Sequence, residues 1–192
     1  MAYLVTGLIL FLGIHSIRIA TDFWRTAAVA RIGEGPYKGI YSVLALTGLF
    51  LIVAGFSIAR ETPVVLWTPP MGLRHGAALL TFLAFIFLAA AYVPGNTIRA
   101  RLHHPMVLGV KAWALSHLMA TGQLAHLILF AAFLVWAVFD FVSLQRRDRA
   151  HGTVYAPGNL QATLLTVAIG GTAWALFAFI FHGWLIGIRP FG

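Results

Sequence analysis

The sequence predicts an all-α fold, a polytopic transmembrane helical bundle of about six membrane helices in a single integral-membrane domain over residues 1–192. Three observations predict it. Of the 192 residues, 60% are hydrophobic and only 9% are charged, whereas an average soluble domain has about 25% charged residues. The mean hydropathy is +0.89. The apolar residues also form runs close to the ~20 residues with which a helix crosses the hydrocarbon core.

Each predicted span follows one apolar run, in chain order. The spans are predicted over residues 2–20, 40–58, 76–93, 105–120, 124–142 and 160–187. Residues 105–142 are too long for one straight helix, and ATGQ at 120–123 interrupts them, so the fourth and fifth spans form a tight hairpin. The first span lacks a basic segment before it and an A-x-A site after it, so it is not predicted to be a cleaved signal.

The connections between the spans contain the expected breakers. Turns are predicted at RIGEGPYKG (31–39), WTPPMG (67–72) and VPGN (93–96), because Gly and Pro interrupt helices. Residues 145–159 form the longest polar stretch, which predicts a mobile loop. The segment 31–39 lacks the G-K-[ST] ending of a phosphate-binding loop and is interpreted as a turn.

The basic residues predict the orientation in a bacterial inner membrane. One side carries ten of the 13 Lys and Arg residues, namely Arg18, Arg25, Arg31, Lys38, Arg99, Arg101, Lys111, Arg146, Arg147 and Arg149. The other side carries Arg60, Arg74 and Arg189. Because Lys and Arg are enriched on the cytoplasmic side, both termini are expected in the periplasm.

Composition excludes several classes of function. The net charge is +8, but the basic residues are scattered between apolar segments, so no nucleic-acid surface is predicted. The absence of cysteine excludes disulfides, thiolate metal sites and cysteine nucleophiles. The five acidic residues lie in or near loops or span ends, so no intramembrane carboxylate pair is available for proton pumping.

Two histidines stand inside predicted spans, where polar groups are costly and indicate function. His15 lies in FLGIHSIRI, and His117 lies in WALSHLMATG with Trp113 one turn before it. Each has two interpretations, a metal or haem ligand and a neutral imidazole that bonds within the helix bundle. Neutral imidazole is a haem-iron ligand, so His15 and His117 are the candidate metal ligands.

The other polar residues have weaker signals. His103 and His104 precede Pro105 at a helix start, with His103 facing water or headgroups, and Lys111 either extends to the interface or binds an anion such as a propionate or a lipid phosphate. His182 shares a stripe with small residues, which predicts that it faces protein and bonds between helices. No chemistry is assigned to His75, His126 and His151.

Four blocks carry a resemblance to a known family. FLGIHSIRI, RIGEGPYKGIYS, AAYVPGN and HHPMVLGVKAWALSHLMATG resemble the NnrU family of bacterial membrane proteins, which includes 15-cis-zeta-carotene isomerase. The resemblance implies haem b held between two intramembrane histidines. Residue by residue, it places the ligands at His15 and His117 and makes the HP histidine, His104, a supporting residue.

Three further residues are predicted to complete this implied site. Arg18 and Lys111 neutralise the haem propionates, and Trp113 packs on the ring. The two ligands lie at different depths in the predicted spans, so the pair His15 and His104 stays open as an alternative.

The resemblance also implies a function. It is a redox-linked role in nitrite or nitric oxide metabolism during denitrification, or cis–trans isomerisation of a carotenoid-like, lipid-soluble substrate. Whether the chain is an enzyme stays open. The alternative is a non-enzymatic factor that assembles or stabilises a nitric oxide reductase and uses its histidines structurally. A transporter ranks last, because inverted repeats and intramembrane acids are lacking.

Overall fold

The computed structural model of the protein describes residues 1–191, and most of them are helical. The helices are α1 (Ala2–Ala20), α2 (Asp22–Ile32), α3 (Glu34–Glu61), α4 (Met71–Tyr92), α5 (Thr97–Leu102), α6 (Pro105–Ala120), α7 (Leu124–His151), α8 (Leu160–Leu176) and α9 (His182–Ile186). A π-helical turn over Phe177–Phe181 joins α8 to α9. Within residues 1–191, extended pairing is limited to isolated bridges, so the all-α prediction is confirmed.

Five helical segments are long and apolar enough to cross a membrane. They are α1, α3, α4, α7 and the continuous segment Leu160–Ile186. The fourth predicted span, residues 105–120, corresponds to α6, whose 16 residues extend about 24 Å, less than the ~30 Å hydrocarbon core. The prediction of about six membrane helices is therefore confirmed in outline, as is the break between α6 and α7.

The polar ends of the helices differ from the prediction. The turn predicted over 31–39 is mostly helical, with Gly33 alone in the left-handed region at φ 86°. Pro36 lies in the first turn of α3, a favourable position for proline, and Lys38 Nζ lies 2.7 Å from Glu34 Oε1 one turn away. Helix α7 continues to His151, because residues such as Gln145 and Arg146 are good helix formers.

The chain divides into two compact units. The first unit contains Met1–Pro69 and Thr121–Ser143, and the second contains Pro70–Ala120 and Leu144–Gly192. In the first unit α1 packs along α3 through glycines. A Cβ atom on Gly7 would lie 2.6 Å from the backbone nitrogen of Ile52, and one on Gly48 would lie 2.8 Å from that of Phe11. The two backbones therefore touch, as small residues allow in membrane helix pairs.

The second unit packs α4 against α6 and α8. A Cβ atom on Gly109 would lie 3.1 Å from the carbonyl oxygen of Ala84, and one on Gly170 would lie 2.7 Å from Cα of Ile86. The side chain of Asn96 joins the end of α4 to the start of α5, and the residue is only 1% exposed. Its Nδ2 donates to Ala90 O at 2.9 Å, and its Oδ1 accepts from Arg99 N at 2.7 Å.

Replacing Asn96 by alanine is expected to destabilise the protein more than removing an exposed cap. Asn96→Ala leaves buried polar groups without partners, which costs about 1–3 kcal/mol. Asn159 caps α8 at an exposed position and accepts from Ala162 N at 2.8 Å, so Asn159→Ala should cost about 1 kcal/mol. Thermal unfolding of both variants in the same detergent measures the difference. A smaller loss of stability in Asn96→Ala than in Asn159→Ala would contradict this.

Candidate functional site

In the first unit, His15 lies on α1 in a fixed tautomer. Its Nδ1 lies 2.7 Å from the carbonyl oxygen of Phe11, one turn earlier. A carbonyl oxygen only accepts hydrogen bonds, so Nδ1 carries the proton and Nε2 carries the lone pair. The imidazole is surrounded by aromatic rings, with centroids at 4.3 Å for Phe11, 5.4 Å for Tyr41 and 6.2 Å for Trp136.

Trp136 adds an unsatisfied donor beside His15. Its Nε1–H is buried and has no hydrogen-bond partner among residues 1–191. Buried donors are nearly always paired, so this one points to an acceptor that the chain does not supply. Trp136 also lines a groove of about 420 Å³ between α1 and α7, whose lining is apolar apart from the indole and Ser16.

In the second unit, His117 repeats the arrangement of His15 on α6. Its Nδ1 lies 2.8 Å from the carbonyl oxygen of Trp113, one turn earlier, and 3.2 Å from Ser116 Oγ. The same argument gives an Nδ1–H tautomer with the lone pair on Nε2. The ring centroids of Trp113 and His117 are 5.4 Å apart, as the predicted pairing requires.

The remaining predicted site residues are dispersed. His15 belongs to the first unit, whereas His104 and His117 belong to the second. Arg18 lies in the last turn of α1, where Nε is 3.8 Å from Asp22 Oδ1 and the side chain is 59% exposed. Lys111 is half-buried on α6.

His104 forms part of a polar cluster that the sequence did not indicate. Its Nε2 lies 2.9 Å from Asp148 Oδ2, although the two are poorly aligned for a hydrogen bond. The hydroxyl of Tyr155 donates to the same oxygen at 2.7 Å. His103 stacks on the Tyr155 ring with centroids 4.2 Å apart and planes within 4°. No local pattern could reveal this cluster, because its residues are far apart in the chain.

His182 is partly buried, as expected of a position that faces protein, but its hydrogen bond differs from the predicted one. Its Nδ1 lies 2.7 Å from the carbonyl oxygen of Ile188, in the segment after α9, so this contact is local and does not join two helices. The π-helical turn before it interrupts the 3.6-residue periodicity on which the predicted stripe of Gly171, Ala175 and Ala178 depended. Of these stripe residues, Ala178 is buried.

Within residues 1–191, no three His, Cys, Asp or Glu side chains are grouped to hold a metal ion. A haem iron requires only axial ligands from the protein, so His15 and His117, the histidines predicted as ligands, are the groups to consider. Comparison of the sequence with known families identifies the family of the chain. The sequence matches the family described as NnrU protein over residues 3–190. The chain belongs to the NnrU family. No curated protein and no solved structure matches it significantly.

The NnrU match extends across both compact units. It includes His15 and His117, and also the cluster of His103, His104, Asp148 and Tyr155, since all lie within residues 3–190. The resemblance first seen in four blocks is therefore confirmed for nearly the whole chain.

In this NnrU-family protein, the cluster raises the pKa of one group outside the membrane-spanning segments, the phenol of Tyr155. Burial, followed by the hydrogen bond to Asp148, raises the pKa of Tyr155 from 10.0 to about 12. The folded state therefore favours the phenol, and this stabilisation is complete below pH 10 and is lost as the pH rises towards 12.

A tyrosinate absorbance titration should resolve this group. The chain has five tyrosines, and the difference between the wild-type protein and Tyr155→Phe should titrate with a midpoint near pH 12. The variant should also lose less stability than the wild type between pH 10 and 12, because it lacks the shifted phenol. A difference titration centred at pH 10 would show that the Tyr155–Asp148 bond is not formed.

Proposed function

We propose that this NnrU-family membrane protein binds haem b, with His15 and His117 as axial ligands of the iron. One observation carries the proposal. Each imidazole donates from Nδ1 to the carbonyl of the preceding helical turn, at 2.7 Å and 2.8 Å. This places a proton on Nδ1, so that each imidazole, when neutral, presents the lone pair of Nε2, the form that binds iron. A neutral ligand also avoids the cost of a charge inside an apolar helix.

Other residues fit a haem group. The buried indole N–H of Trp136 lacks a partner among the described residues and lies beside His15, so a polar group of a bound molecule could accept its hydrogen. Trp113 presents an aromatic ring beside His117. Arg18 and Lys111 supply the positive charge that propionates require.

His104 fits a supporting role better than an axial one. Its Nε2 lies 2.9 Å from Asp148 Oδ2, so a carboxylate lies close to the nitrogen that an axial ligand would present to the iron. This contact favours the pair His15 and His117 over the pair His15 and His104.

The proposed role is redox-linked. A haem iron would supply a centre at which nitric oxide, or the double bond of a lipid-soluble substrate, can bind when an axial position opens. The protein would hold the iron through neutral imidazoles and exclude water with apolar helices. The two candidate roles are nitrite and nitric oxide metabolism in denitrification, and cis–trans isomerisation of a carotenoid-like lipid.

Alanine variants test the ligand assignment. The protein would be expressed with ample haem supply and purified in mild detergent, and its Soret band recorded for His15→Ala, His117→Ala and His75→Ala. The first two should lose or shift the band, because each removes a ligand. His75 is exposed at the start of α4, so His75→Ala should match the wild type. An unchanged band in both ligand variants would refute the assignment.

Two additions to the reduced protein separate the roles. Nitric oxide should produce a new absorbance band if a coordination position opens on reduction. A cis-polyene should isomerise if the site acts on lipid-soluble double bonds. If the folded protein binds no haem, the remaining function is a non-enzymatic assembly or stability factor for a nitric oxide reductase, with structural histidines.

A further inference from the structure

A second polar site lies in the second unit, where α7 ends. It is a cavity of about 400 Å³ lined by side chains of His103, Gln145, Asp148, Arg149, Thr153 and Tyr155. Its volume falls within the ~300–1,000 Å³ range of small-molecule sites. None of these lining residues is among those proposed to hold haem.

Backbone strain marks one wall of this cavity. His103 has φ 67° and ψ −62°, and the N–H of His104 donates to Leu102 O at 2.9 Å. This is a γ-turn with positive φ, a rare and strained conformation that is often found at ligand-binding sites. The strained turn presents the His103 ring to Tyr155, on which it stacks.

The cavity carries opposite charges on adjacent residues. Oδ2 of Asp148 accepts the hydrogen bond of the Tyr155 hydroxyl and lies in contact with His104. Among residues 1–191, no hydrogen bond reaches Oδ1 of Asp148. Arg149 is exposed and donates from Nε to Gln145 O at 3.3 Å, a bond that does not use the N–H groups of its two terminal nitrogens. The site therefore offers an acceptor for a cation and donors for an anion.

We propose that this cavity binds the headgroup of an aminophospholipid, with the ammonium on Asp148 and the phosphate diester on Arg149. The location favours a lipid, because Asp148 and Arg149 lie in the last turn of a helix long enough to span a membrane, Leu124–His151, where headgroups lie. An anionic headgroup without an amine would be repelled by Asp148. A choline headgroup has no ammonium N–H to donate to the carboxylate.

Lipid retention measured by native mass spectrometry tests the proposal. The full-length protein would be delipidated in detergent and supplied with phosphatidylethanolamine, phosphatidylglycerol or phosphatidylcholine. Phosphatidylethanolamine should be retained about tenfold better than the other two, as expected for one charge-assisted hydrogen bond. Asp148→Asn and Arg149→Gln should each remove this preference. Equal retention of all three lipids by the wild type would overturn the proposal.

Two controls make the outcome specific. Arg146→Gln removes an exposed arginine from the same helix end but not from the cavity, and it should retain the preference. If only Asp148→Asn misfolds, the lipid preference of Arg149→Gln still tests the proposal, because Arg149 takes no part in the contacts between Asp148, His104 and Tyr155. Soluble phosphoethanolamine should compete only weakly. Binding of it as tight as that of the whole lipid would overturn the lipid assignment in favour of a soluble ligand.

Discussion

Gly7→Leu is expected to abolish stable packing of α1 against α3. A Cβ atom at residue 7 would lie 2.6 Å from the backbone nitrogen of Ile52 and 2.8 Å from the carbonyl oxygen of Gly48. These are backbone atoms, so no side-chain rotation can relieve the clash, and the helices must separate. Overpacking usually lowers the free energy of unfolding by about 1–3 kcal/mol and sometimes more. Because Gly7→Leu forces two backbones apart, we expect a loss of stability at or above the upper end of this range. Size-exclusion chromatography in detergent should show aggregated protein.

Gly13→Leu is the matched control on the same helix. Nothing lies within 4 Å of a Cβ atom at residue 13, and the residue is exposed. Because Gly13 lines the open groove between α1 and α7, the leucine would extend into free space at little cost, and replacing glycine improves helix propensity by up to ~1 kcal/mol. This variant should be monodisperse and melt no lower than the wild type. Equal behaviour of the two variants would contradict the close α1–α3 approach.

His15→Gly is expected to lose the wild-type haem spectrum and to regain it on addition of imidazole. Removing the ring leaves a space bordered by the aromatic rings of Phe11, Tyr41 and Trp136. Free imidazole is neutral, has the shape of the lost side chain and can donate to Phe11 O as His15 Nδ1 does. Absorbance spectra recorded during an imidazole titration measure the recovery.

The rescue separates ligation from structure. A histidine that only fills space would leave the Soret band of His15→Gly unchanged, and imidazole would add nothing. The wild-type protein with imidazole is the control and should keep its spectrum, because its axial positions are already occupied. Loss of haem in His15→Gly without recovery at any imidazole concentration would contradict direct ligation by His15.

Apolar run length predicted most of the fold. It placed α1 and the continuous segment Leu160–Ile186 to within one residue and α4 to within five, because hydrophobic segments of membrane length have few alternatives. It was less accurate at the polar helix ends, where helix propensity and local contacts determine the residue at which a helix begins or ends. The pair of Glu34 and Lys38 helps to extend α3 into a predicted turn. The short helices α2 and α5 were missed for the same reason, since neither is a long apolar run.

Only part of the candidate site could be predicted from the sequence. His15 and His117 could be singled out because imidazoles are rare in apolar runs, and Trp113 because it lies one turn before His117. The cluster joining His104 to Asp148 and Tyr155 depends on tertiary packing, which no local pattern encodes. The positive φ of His103 could not be predicted either, because the sequence around His103, His104 and Pro105 contains no signal for a γ-turn.

The central claim is that the protein binds haem b, and the most direct measurement is the absorption spectrum of the purified wild type. The protein would be expressed with ample haem supply, its oxidised and reduced spectra recorded, and its haem content determined against protein. The proposal predicts a Soret band that shifts on reduction, with haem in equimolar amount. A folded, monodisperse protein without a Soret band would contradict it.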